Sequence, residues 1–185
     1  ALDRSGSMSG QPLEEAKRCI EMIIDSLTSD DHFSLVTYDD VVDIPIPSTS
    51  VSNKEWMKSI VRTIQSGGLT ALYDGWSTAA AEAAKRVSKK SISRVLLLSD
   101  GQANEGVTDH FTIASHCAEM ASVGVSTTTY GLGEDFNEEL MTSMAKSGKG
   151  LAHYGQTADD LADPFQSEFD LINLDSLYLE EISFQ

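Results

Sequence analysis

The sequence predicts an α/β fold: a three-layer, doubly wound, mostly parallel six-stranded sheet with one antiparallel edge strand and a truncated first strand. Three observations predict it. Helix and strand patterns alternate from end to end. A continuous apolar run from Ile92 to Leu98 has the character of a strand buried on both faces. Only Asp39 and Asp40 separate two extended stretches, which is enough for a hairpin and far too short for a parallel crossover.

Ala1 and Leu2 resemble the stump of a strand, so the chain is expected to be a fragment of a longer protein. A Ser/Gly loop follows, then a helix from about Gln11 to Leu27. Its apolar positions Leu13, Ala16, Ile20, Ile23, Ile24 and Leu27 keep helical spacing, and Pro12 suits a first turn. His32 to Tyr38 is predicted as a buried strand, and Val41 to Ile46 as the antiparallel edge strand ended by Pro45 and Pro47. A helix from about Asn53 to Gln65 is expected to start after Ser52, with Glu55 completing a capping box. An Ala-rich helix at about Leu72 to Val87 has small residues suited to close packing on the sheet.

After the central strand, Thr108 is expected to cap a helix reaching about Ser122. Val125 to Tyr130 is a β-branched strand, Asn137 to Lys146 a short helix and Leu151 to Tyr154 a last strand. Thr157 and Asp160 begin a final helix to about Asp170, giving a domain over 1–170. Residues 171–185 are expected to form a tail or the start of a neighbouring domain, with Leu174 to Phe184 alternating weakly like a strand. A strand order of 3-2-1-4-5-6 with right-handed crossovers puts Cys19 and Cys117 on opposite faces, which excludes a bond between them.

Charge narrows the function classes. With 29 acidic against 13 basic residues the net charge is −16, so phosphate backbones are repelled and nucleic acid is an unsuitable partner. Divalent cations are compatible with such a surface. No apolar run approaches the roughly 20 residues of a membrane span, and the termini leave the compartment unreadable.

Open parallel sheets bind ligands beyond the carboxyl ends of their strands, where the strand order reverses. The loops predicted at that edge are rich in oxygen donors: Asp3-Arg4-Ser5-Gly6-Ser7-Met8-Ser9-Gly10, Gly67-Gly68-Leu69-Thr70 and Leu98-Ser99-Asp100-Gly101. Two carboxylates and three hydroxyls, without Cys or His, form a hard donor set. Such a set prefers Mg²⁺, with Mn²⁺ or Ca²⁺ as alternatives, over zinc. With so few anionic ligands the ion keeps open positions, one of which a partner's carboxylate can fill. Gly6, Gly68 and Gly101 are expected to let the backbone turn tightly beside it.

Asp3-x-Ser5-x-Ser7, the later Thr70 and Asp100-Gly101 resemble the metal-ion-dependent adhesion site of von Willebrand factor A domains. The resemblance extends over nearly the whole chain, including Gly67-Gly68-Leu69-Thr70-Ala71-Leu72-Tyr73-Asp74-Gly75. It implies metal ligation by Ser5 and Ser7 directly, and by Asp3, Thr70 and Asp100 directly or through water. It also implies a protein ligand presenting Asp or Glu and a shift of the final helix around Leu161 and Phe165 between affinity states; the truncated first strand leads to the expectation of a larger multidomain protein.

Other motifs lead elsewhere. Gly6-Ser7-Met8-Ser9-Gly10 has Met8 where a nucleophile elbow needs Ser. The four histidines lack metal-ligand spacing, and Gly131-Leu132-Gly133 lacks the third glycine of a dinucleotide fingerprint. The chain is therefore expected not to be an enzyme. A metal-dependent hydrolase or phosphatase in the same crevice is the competing reading, but it needs a base that these loops do not supply. A structural domain acting through its tail or neighbours is a third.

Overall fold

A computed structural model describes residues 1–133 and 136–183, with 171–183 as helical backbone alone. Its strands are β1 (Leu2–Asp3), β2 (His32–Tyr38), β3 (Val42–Ser50), β4 (Ser93–Ser99), β5 (Val125–Leu132) and β6 (Lys149–Gly155). They form one sheet in the order β3-β2-β1-β4-β5-β6, which is the predicted order. Every pairing is parallel except β2 with β3, so the edge strand is antiparallel as expected.

The helices are α1 (Gln11–Ser26), α2 (Lys54–Thr63), α3 (Leu72–Ala84), α4 (His110–Ser122), α5 (Glu138–Ser147) and α6 (Ala158–Ser183). Two cores lie on opposite faces of the sheet. Leu2, Leu98, Tyr130 and Leu132 join α1, α2 and α6 on one side, while Val36, Val95, Leu97 and Val125 join α3, α4 and α5 on the other. Alternation along β4 divides Leu98 from Leu97 between the two, as strand geometry requires. Cys19 belongs to the first core and Cys117 to the second, and both are free.

The strand β3 does not end at its prolines; it runs through Pro45 and Pro47 to Ser50. The pairing with β2 slips by one residue twice, once between Thr37↔Asp43 and Leu35↔Ile46 and again between Leu35↔Ile46 and Phe33↔Thr49. In each slip the extra residue falls on β3, in the segment that holds one of the prolines. Two bulges on an edge strand thus absorb residues that cannot donate to the ladder.

The final helix is also longer than expected. It continues past residue 170 to Ser183, where a weakly alternating strand was predicted. Leu171, Leu174, Tyr178 and Ile182 recur at three- and four-residue intervals, a helical spacing that outweighs the alternation. Phe184 lies outside the described residues. Helix caps move by one residue in two places: Asn53 rather than Ser52 receives the Trp56 N–H, and Asp109 rather than Thr108 receives the Thr112 N–H. Their carboxyl and amide oxygens reach the third residue of the helix, so they displace the hydroxyls beside them. No described helix is long and apolar enough to cross a membrane.

Candidate metal centre

The reversal of strand order lies between β1 and β4, and the loops leaving these two strands meet there. Asp3, the last residue of β1, is fully buried. Its Oδ1 accepts the Ser5 N–H at 2.9 Å and its Oδ2 accepts the Ser99 hydroxyl at 2.6 Å. Ser5 and Ser7 follow across a 3-10 turn at Gly6–Met8, and their hydroxyl oxygens lie 3.1 Å apart. Ser5 is buried and Ser7 exposed, so this pair runs from the interior to the surface.

Backbone hydrogen bonds clasp the second loop between the other two. Gly6 N donates to Gly68 O at 3.1 Å and Gly67 N to Arg4 O at 2.9 Å, tying it to the first loop. On its far side Thr70 O accepts both Asn104 N and Glu105 N at 3.2 Å, and Thr70 N donates to Asn104 Oδ1 at 2.8 Å. Thr70 is therefore fixed and buried between the loops. Gly68 and Gly101 adopt φ of 67° and 74°, which only glycine takes without strain. Gly6 needs no such freedom; its role is the N–H that meets Gly68.

Asp100 begins the third loop, mostly buried, with Oδ1 accepting Gln102 N at 3.0 Å and its carbonyl accepting Asn137 N at 2.9 Å. Burial raises the pKa of Asp3 to about 6; the hydrogen bonds from Ser5 and Ser99 oppose the rise, and the nearby charge of Asp100 adds to it. Burial and the same two carboxylates push the Tyr38 hydroxyl upward as well. No salt bridge reaches Asp3 or Asp100 among the described residues. The basic residue of the first loop, Arg4, is held by Asp39 at 3.1 Å and Asp43 at 2.9 Å. A buried carboxylate with an acidic neighbour and no cation is costly unless a positive charge is supplied.

A divalent ion fits this arrangement on chemical grounds. The donors are carboxylate and hydroxyl oxygens only, and the described residues contain no cluster of three or more His, Cys, Asp or Glu side chains that would mark a softer or more anionic site. Sequence reasoning named Asp3, Ser5, Ser7, Thr70 and Asp100. It missed Ser99, whose hydroxyl joins Asp3 to the Gly101 N–H at 2.8 Å, and Asn104, which anchors Thr70. A hydroxyl as the last residue of the central strand, directly before Asp100, was the available signal for the first.

The molecule is thus a doubly wound α/β domain with carboxylates and hydroxyls gathered at the carboxyl ends of its two central strands. It belongs to the von Willebrand factor type A domain family, whose model matches residues 1–167. An uncharacterized Synechocystis protein, sll0103, is 29% identical over 172 residues, covering 91% of this chain but only 39% of that protein. Among solved structures, the conserved hypothetical protein BatB from Bacteroides thetaiotaomicron superposes with a TM-score of 0.79 at 18% identity, covering 93% of this chain and 96% of that one. Proximal thread matrix protein 1 from the mussel byssus, in a structure described as having a zinc-occupied MIDAS motif, gives 0.74 at 22% identity over 95% of this chain and 44% of that one.

Proposed function

We propose that this domain is a protein-interaction module in which Asp3, Ser5, Ser7, Thr70 and Asp100 hold a divalent cation, Mg²⁺ first, with an open coordination position that takes an Asp or Glu of a partner. The observation that carries this reading is the fully buried Asp3 carboxylate, beside Asp100, without a cationic side chain among the described residues to balance it. The Ser5 and Ser7 hydroxyls, 3.1 Å apart in the same loop, provide neutral donors that leave the ion electrophilic. Zinc in the mussel relative is compatible with a site of this kind, while the all-oxygen donor set here favours a harder ion.

Binding without turnover is favoured over hydrolysis because no histidine or lysine among the described residues hydrogen-bonds to or pairs with Asp3 or Asp100. Residues 1–170 are proposed as the domain proper, with 171–185 as a tail or the start of a neighbouring domain. Calorimetric titration with Mg²⁺ and Mn²⁺ tests the reading: the wild type should bind one ion, and Asp3→Ala or Asp100→Ala should abolish the heat while circular dichroism stays unchanged. Equal heats from wild type and both variants would refute it.

A further inference from the structure

We infer that the partner carboxylate is one flanked by Lys or Arg, because an anionic ring of exposed acidic residues, Asp40, Asp74 and Glu105, is carried on the segments that adjoin Gly68, Thr70 and Gly106 beside the metal site. This rests on the proposed capture of a carboxylate and adds the chemical setting in which that carboxylate must lie. All three ring residues are exposed. Asp40 Oδ1 occupies the place that a Cβ on Gly68 would take, so it covers the turn two residues before Thr70. Asp74 Oδ2 is 3.3 Å from the corresponding point on Gly106, and Glu105 donates its own N–H to Thr70 O.

In the stretches 3–10, 39–43, 66–74 and 100–109, Arg4 is the sole lysine or arginine, and Asp39 and Asp43 engage it. A divalent ion would neutralise Asp3 and Asp100 and leave the ring uncompensated. An approaching carboxylate therefore meets attraction at the ion and repulsion from the acidic side chains beside it, a repulsion that salt screens. Basic neighbours on the partner turn that repulsion into attraction, and the net charge of −16 extends the preference to longer range. Acid-rich partners are rejected by the same ring.

The probes are three short peptides with one central residue: Glu between lysines, Glu between glutamates, and Gln between lysines. Each is titrated into the Mn²⁺-loaded domain and into the triple variant Asp40→Asn, Asp74→Asn, Glu105→Gln, by fluorescence anisotropy. Wild type should bind the lysine-flanked Glu peptide at least about tenfold more tightly than the glutamate-flanked one, and the variant by less than about threefold. The Gln peptide should bind weakly, and chelation should remove binding of both Glu peptides. Equal affinity for the two Glu peptides, or a preference that survives in the variant, overturns the ring while leaving metal capture intact. Binding insensitive to chelation, or equally strong with Gln, overturns the metal reading and the ring with it.

Discussion

The Ser99 hydroxyl donates to Asp3 Oδ2 at 2.6 Å, so the last residue of β4 holds the carboxylate at the end of β1. The same oxygen accepts the Gly101 N–H, which fixes the turn that presents Asp100. One serine thus ties both carboxylates of the site into a single unit. Ser99→Ala leaves a buried carboxylate oxygen and a backbone N–H without their partner, and should cost about 1–3 kcal/mol of stability. Urea denaturation checks the loss, and calorimetry should show weaker ion binding than in the wild type. Unchanged metal affinity would remove Ser99 from the site.

Asp3 predicts a pH dependence with a definite sign. Its pKa rises from 3.8 unfolded to about 6 folded, so in the metal-free protein ionising it opposes folding. That penalty is absent below about pH 4, grows as the pH rises to about 6, and reaches about 3 kcal/mol at most. A bound cation should cancel it. The melting-temperature gain on adding Mn²⁺ should therefore be larger at about pH 7.5 than at about pH 5, because protons compete with the metal below the folded pKa. A gain independent of pH would contradict this.

A buried network pins α6 to the sheet. Glu168, almost wholly buried, accepts Tyr130 Oη at 2.6 Å and Thr128 Oγ1 at 2.5 Å, and pairs with Arg94. His153 Nε2 lies 3.8 Å away. Glu168→Ala strands the part-buried Arg94 and leaves the buried Thr128 and Tyr130 hydroxyls without their acceptor, so it should destabilise by about 3 kcal/mol or more. The loss should show in urea denaturation, and hydrogen exchange should quicken in α6 first. Leu161 and Phe165, where the family resemblance implies a shift, lie on the same helix, with the Phe165 ring 4.2 Å from Tyr130. Any such shift would have to break the Glu168 contacts.

The two cysteines should be inert in the native state. Burial pushes Cys19 and Cys117 to about 12, so almost no thiolate exists at neutral pH. A disulfide-exchange reagent should label neither in buffer and both in denaturant. Fast labelling of the native protein would contradict the packing of α1 and α4.

The strand order was legible because the Asp39-Asp40 turn and the apolar run before Asp100 allow few alternatives. Asp3 and Asp100 were legible as candidate ligands because they stand at strand ends, Ser5 and Ser7 because they follow Asp3 in a Ser/Gly loop, and Thr70 because it closes a Gly-Gly loop between two helices. What escaped prediction depends on competition between neighbours. Ser52 and Asn53, or Thr108 and Asp109, are equally good caps on paper, and the choice depends on which oxygen reaches the third N–H. The prolines of β3 look like terminators until bulges place them where no donor is needed. Ser99 was hidden because its partner, Asp3, is distant in sequence and adjacent only once β1 and β4 pair.

Anomalous diffraction from crystals soaked in Mn²⁺ tests the central claim most directly. A single peak within about 2.0–2.4 Å of the Ser5 and Ser7 hydroxyl oxygens, with Asp3, Thr70 and Asp100 around it directly or through water, is the expected result. A peak elsewhere, or none at saturating manganese above about pH 7, where Asp3 is ionised, would contradict it.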